Sequence, residues 1–89
     1  MRKIILKLEC MDSLPALHKY LYRELALPVY YGANLDALYD CLTDVVEDTQ
    51  LVVPAAVADD AHLGWYGKQF LQVLQDAAAA NEHLQVLVK

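Results

Sequence analysis

Three short runs of branched apolar residues, Ile4-Ile5-Leu6, Leu51-Val52-Val53 and Leu84 to Val88, alternate with stretches whose apolar residues recur at helical spacing. Bounded by charged residues, Pro or Asn, these runs read as strands at 2–8, 50–53 and 84–88. Between the first two, Leu14, Leu17, Leu21 and Leu25 recur at i, i+3, i+7 and i+11, with His18, Lys19, Tyr22 and Arg23 largely on the other side. That spacing predicts a helix capped by Asp12 or Ser13, starting near Pro15 and stopping before Pro28, which disfavours helical geometry at Leu27. A second helix follows Asn34. A third runs from about Trp65 to Ala80, with Phe70, Val73, Leu74 and Ala77 on its apolar face and Asn81 as its C-terminal cap. Residues 55–64, Ala-rich and closed by Gly64, read as a short helical turn or a loop. Strand, helix, helix, strand, helix, strand implies right-handed crossovers, and so an α/β fold with a small parallel sheet flanked by helices. The unbroken Ile-Ile-Leu core predicts a first strand buried on both faces.

The second helix carries the chemistry. Leu35, Leu38, Leu42, Val45 and Val46 form an apolar stripe, and Asp36, Asp40, Thr43 and Glu47 fall on the opposite side, with Tyr39 on the border. Asp36, Asp40, Asp44 and Asp48 stand at every fourth position, which on one helix is a nearly straight row of like charge. Such a row works against the helix by roughly 0.2 to 0.5 kcal/mol per pair. Only Asp36, in the first turn after the Asn34 cap, is favoured by the helix dipole. No Lys or Arg falls between Arg23 and Lys68, while eight of the twelve acids do. The plain reading is a solvated polar face. A whole row beside the Tyr30-Tyr31-Gly32 loop points instead to a binding surface. Gly32 supplies backbone freedom for the turn into the helix, and Tyr31 reads equally as a contact residue or as a core residue tucking the loop down.

Length and charge bound the remaining choices. Eighty-nine residues, 57% hydrophobic, make one domain spanning 1–89 with a modest core. A net charge of −5 argues against nucleic acid or an anionic membrane and for a basic partner. No stretch is long and apolar enough for a membrane span, and the start of the chain, with Lys7 and Glu9 breaking its apolar run, does not resemble a signal peptide. A cytoplasmic protein is therefore expected, with Cys10 and Cys41 reduced; Cys41 reads as a small buried hydrophobe.

Catalytic machinery is not evident. His18, His62 and His83 stand in no nucleophile signature, and Gly32, Gly64 and Gly67 match no phosphate-binding loop. Asp36 and Asp40 lie on an outward helix face and supply too few ligands for a selective metal site. The expectation is a protein that is not an enzyme and needs no cofactor or metal. An exposed acid row on a rigid helix does imitate a polyanion, its carboxylates near the spacing at which a phosphate-binding cleft presents Arg and Lys. Flat tyrosines beside it anchor interfaces.

The run Glu24 to Thr43, ELALPVYYGANLDALYDCLT, closely resembles the barstar family of intracellular inhibitors of secreted bacterial ribonucleases. Leu17-His18 and Phe70 to Leu74 are also similar to that family. The resemblance implies a three-stranded parallel sheet and a second helix that, with the loop before it, plugs the nuclease active site. By position, Asp40 would occupy the phosphate site, Asp36 would pair with an Arg, and Tyr30 would lie against the catalytic histidine. Gly32, Asn34, Tyr39 and Thr43 would complete the contact, and Asp76 would stand for a family Glu in a peripheral ion pair. The best-known member has Trp where Tyr39 and Val45 stand and Gly where Asp44 stands. Those differences imply a retained mechanism with a different cognate nuclease, Asp44 adding an acid for a further basic group. The partner implied is a basic extracellular ribonuclease of the barnase type, bound by a protein that is monomeric when free. The alternative is an immunity or adaptor protein of the same fold that binds another basic protein.

Overall fold

A computed structural model describes residues 1–29 and 31–89. Three strands, β1 (Arg2–Ile5), β2 (Thr49–Val53) and β3 (Leu84–Val88), form a parallel sheet in the order β1-β2-β3. Three helices, α1 (Leu14–Glu24), α2 (Leu35–Thr43) and α3 (Gly64–Ala80), connect them. The α/β architecture expected from the element order is the one observed. Ile4, Leu51 and Val86 lie side by side in register, and their face of the sheet packs into the core with Leu17, Leu21, Leu38, Leu42, Phe70 and Leu74.

The next residues in register, Ile5, Val52 and Leu87, face the other way. Ile5 is 58% exposed, so the first strand is not buried on both faces as its apolar run suggests. The cause is topological. Two right-handed crossovers stepping in the same direction across a sheet put their helices on one side. Only the central β2 is buried along most of its length, because β1 and β3 cover its edges.

The first strand also ends early. Leu8–Cys10 forms a 3-10 helix, and the Lys7 N–H donates to the Tyr20 hydroxyl at 3.0 Å instead of extending the ladder. Ser13 then caps α1, its hydroxyl accepting from the Ala16 N–H at 3.3 Å, with Pro15 in the first turn. The far end of α1 closes before Pro28. Ala26 turns left-handed (φ 50°), its N–H donates to the Arg23 carbonyl at 3.4 Å, and the Leu27 N–H donates to the Tyr22 carbonyl at 3.0 Å. That is a Schellman closure with Ala where Gly is usual, pinned by burial of Leu25 and Leu27.

Residues 55–64 contain a short 3-10 helix, Ala55–Ala58, and turns that lead into α3. Gly64, expected to stop an element, instead begins α3 with φ 55°. Gly67 allows α3 to press on the 3-10 helix, since a Cβ there would meet the Val57 carbonyl oxygen at 1.9 Å. Among the described residues, no helix is long and apolar enough to cross a membrane.

Candidate functional site

Asn34 does two jobs at the start of α2. Its side-chain oxygen accepts from the Ala37 N–H at 2.8 Å, and its amide donates to the Gly32 carbonyl at 3.2 Å. One residue thus caps the helix and ties down the loop before it. Leu38 and Leu42 then bury, Leu35 and Tyr39 are half-buried, and Asp36 and Asp40 are exposed. The Thr43 hydroxyl turns back onto the Asp40 carbonyl at 3.0 Å. Packing on α3 and the sheet therefore fixes which way the acids of α2 face.

The helix is shorter than its acid spacing suggests. It ends at Thr43, with Asp44 as the C-terminal cap, so the row of four acids is a row of three. The side chain that accounts for the ending lies far along the chain. Asn81, only 7% exposed, directs its amide at the carbonyls of Leu42 (3.0 Å), Thr43 (3.4 Å) and Val45 (2.9 Å), and its oxygen accepts from the His83 N–H at 2.9 Å. Carbonyls that a further helical turn would have occupied are satisfied by another element. Past this point the helical phase is lost. Val46, assigned to the apolar stripe, is 82% exposed, and Asp48 leaves the row to meet His83 Nδ1 at 2.8 Å. Asn81 is the C-terminal cap residue of α3, as expected, while its side chain serves α2.

The loop into α2 also differs from its sequence reading. The left-handed residue is Ala33 (φ 53°), not Gly32. Gly32 is instead short of space: a Cβ there would come within 3.2 Å of the Asn34 amide and 3.5 Å of the Ala37 methyl. Tyr30 lies outside the described residues. Tyr31 is half-buried and is a tether, its hydroxyl 2.6 Å from Nδ1 of His18. His18 was read as part of the polar side of α1, yet it is buried, and its Nε2 meets the Tyr66 hydroxyl of α3 at 2.7 Å. Burial pushes the His18 pKa down and those of Tyr31 and Tyr66 up, all toward the neutral forms. Nothing within α1 foretells this hub, since each hydroxyl comes from another element.

Alongside α2 runs an open cleft of about 460 Å³, with Leu27 and Pro28 on one wall and Asp40, Asp44 and Glu47 among its lining residues. Arg2 reaches into the same cleft, with Nη1 3.9 Å from Glu47 and Nη2 3.3 Å from the Thr49 hydroxyl. The acid strip, free of cations along the chain, is thus partly neutralised at its Glu47 end by a residue from β1. Cys41 also lines the cleft; its thiol pKa is pushed up by burial and then by Asp44 and Asp40, which favours the protonated thiol. Asp76 is exposed on α3 and accepts from Gln72 at 2.8 Å. The fold thus gathers Asn34, Asp36, Tyr39, Asp40, Thr43 and Asp44 on one short helix and its caps, while Asp76 belongs to the neighbouring one. Among the described residues, no group of three or more His, Cys, Asp or Glu is placed to share a metal ion.

Two comparisons with known proteins bear on the family of the chain. Residues 1–89 match the family model described as Barstar (barnase inhibitor). The chain is also similar to the "Putative ribonuclease inhibitor YrdF" of Bacillus subtilis (strain 168), with 41% identity over 78 residues, 86% of each chain. A family match over the whole chain, a relative of that identity and a three-stranded parallel sheet carrying a capped acidic helix agree, and the chain belongs to the barstar family.

Proposed function

We propose that this protein is an intracellular inhibitor that occupies the active site of a basic, secreted ribonuclease of the barnase type, and is not itself an enzyme. The observation that carries the reading is the exposure of Asp36 and Asp40 on a helix whose opposite face is held in the core. A ribonuclease cleft presents Arg, Lys and His to RNA phosphates, and carboxylates a turn apart on a rigid scaffold meet such a cleft without ordering a flexible chain. Asp40 takes the phosphate position and Asp36 pairs with a neighbouring Arg. Asn34, Gly32, Tyr39 and Thr43 fill in around them, and Asp76 makes a peripheral ion pair. Tyr30 is assigned to the catalytic histidine from the family resemblance alone. Asp44 offers a carboxylate to one more basic group on the partner. The net charge of −5 accelerates encounter with a cationic nuclease, and association slows as salt is added.

The supporting features are the family membership, the name carried by the Bacillus subtilis relative and the outward acids. The direct test is RNA cleavage by a barnase-type ribonuclease with one equivalent of this protein: abolished cleavage is expected, and undiminished cleavage overturns the reading. One observation favours a shifted partner. Val45 is half-buried and Val46 exposed at the edge of the strip, where the best-known member has Trp at position 45. If cleavage is unaffected, an immunity or adaptor role toward another basic protein takes its place.

A further inference from the structure

Three segments that flank the acid strip meet at one side chain. His18 from α1 is bonded through Nδ1 to Tyr31, in the loop that leads into α2, and through Nε2 to Tyr66 of α3. Both rings lie within 6.0 Å of the imidazole, and His18 is 6% exposed. From Tyr31 the connection continues along the chain to Gly32, whose carbonyl is held by the Asn34 amide, and Asn34 caps α2. The loop is also held by the Tyr31 N–H, which donates to the Pro28 carbonyl at 2.9 Å.

We propose that His18 is a positioning residue for partner binding: in its neutral form it holds the 31–34 loop in the binding geometry, and its protonation loosens that loop and weakens the complex. The chemistry lies in the hydrogen-bond roles. A neutral imidazole donates from one nitrogen and accepts at the other, so one tyrosine hydroxyl donates to it and the other accepts from it. An imidazolium has two donors and no acceptor. The hydroxyl that was donating must then rotate and find another acceptor, or its tyrosine must move away. Among the described residues, the groups facing His18 offer no compensating anion. Tyr31 and Tyr66 meet it from the loop and α3, and Lys19 and Tyr22 of α1 share the adjoining cleft. Beyond Tyr31, α2 contributes Cys41, whose own surroundings include Asp40 and Asp44. The buried position favours the neutral ring, so the transition falls below the ordinary histidine value of 6.5.

The weakening of binding rests on the proposed nuclease-inhibitor reading; the loosening of the loop does not, and the test separates the two. Wild type and His18→Gln are titrated with a barnase-type ribonuclease between pH 7 and pH 5, and the free proteins are followed by NMR over the same range. Gln can donate and accept but does not titrate. The expected result is that wild type loses about tenfold more affinity than His18→Gln over this interval, a coupling of ordinary size between linked sites. The nuclease's own titrations are common to both proteins and cancel. In free wild type, the amide signals of Gly32 and Asn34 should move with the His18 midpoint and not with those of His62 or His83. Tyr66→Phe removes one bond to His18, and the loop midpoint must shift together with the His18 midpoint. This variant and the wild-type titration decide the matter even if His18→Gln does not fold. Loop amides that ignore the His18 titration overturn the proposal. A nuclease that binds at no pH overturns the inhibitor reading, while loop amides that still follow His18 support the positioning role.

Discussion

The Asn81 amide, at the C-terminal end of α3, donates to the Leu42 carbonyl at the end of α2 across 3.0 Å. Thirty-nine residues separate the two along the chain. One buried side chain therefore satisfies carbonyls at the point where the acidic helix stops, and that stop decides which acids share a face. Without that amide, the carbonyls of Leu42, Thr43 and Val45 lose a common donor in a poorly hydrated place.

Asn81→Ala is accordingly expected to destabilise the protein by about 1 to 3 kcal/mol, the cost of removing the donor from the part-buried Thr43 and Val45 carbonyls, while the Leu42 carbonyl keeps the Val45 N–H at 3.3 Å. Urea unfolding followed by far-UV circular dichroism measures it. A change within about 0.3 kcal/mol of wild type would mean that water replaces the amide without loss.

Gly67→Ala tests the packing of α3 on the 3-10 helix at 55–58. Alanine is the better helix former by about 1 kcal/mol. Its methyl, however, would lie 1.9 Å from the Val57 carbonyl oxygen and 2.5 Å from the carbonyl carbon, both backbone atoms. The clash is expected to win, with a net loss of about 1 to 3 kcal/mol in thermal or urea unfolding. A stabilised variant would contradict the close approach.

The pH dependence of stability follows from the buried hub. His18 has a lowered pKa in the folded state, so below its ordinary value of 6.5 the unfolded chain takes up the proton first. Stability from this group is then lost as pH falls and levels off below the folded pKa. Cys41, Tyr31 and Tyr66 are raised, so above about pH 9 the unfolded chain releases protons first and stability falls as pH rises. Urea midpoints measured from pH 5 to 10 should be highest between these edges. In His18→Gln the loss just below pH 6.5 should shrink.

What could be read from the sequence and what could not divide along the range of the interactions involved. Ser13 and Asn34 cap helices through neighbours three residues on, and the strand runs are recognisable from branched residues alone; both are local signals. The end of α2 was overrun because the leucine period continues into valines, while the side chain that accounts for the ending comes from Asn81. His18 looked like one more polar residue on α1 because Tyr31 and Tyr66 reach it only in the folded chain. Arg2 beside Glu47 was invisible for the same reason, being brought there by the pairing of β1 with β2. The outward placement of Asp36 and Asp40 needed only the helical period, and the resemblance in residues 24–43 supplied a role for them.

That role is tested most directly by the affinity of wild type and Asp40→Ala for a barnase-type ribonuclease, measured by titration calorimetry at low and high salt. The account predicts one-to-one binding that weakens with salt. It also predicts a loss of roughly 2 to 5 kcal/mol on removing the Asp40 carboxylate, the range for truncating one side of a desolvated interfacial charge pair, with the barnase–barstar pair itself among the systems that define it. Tight binding that Asp40→Ala weakens by less than about half a kcal/mol, the scale of an exposed rim charge, would contradict the assignment of α2 to the phosphate site.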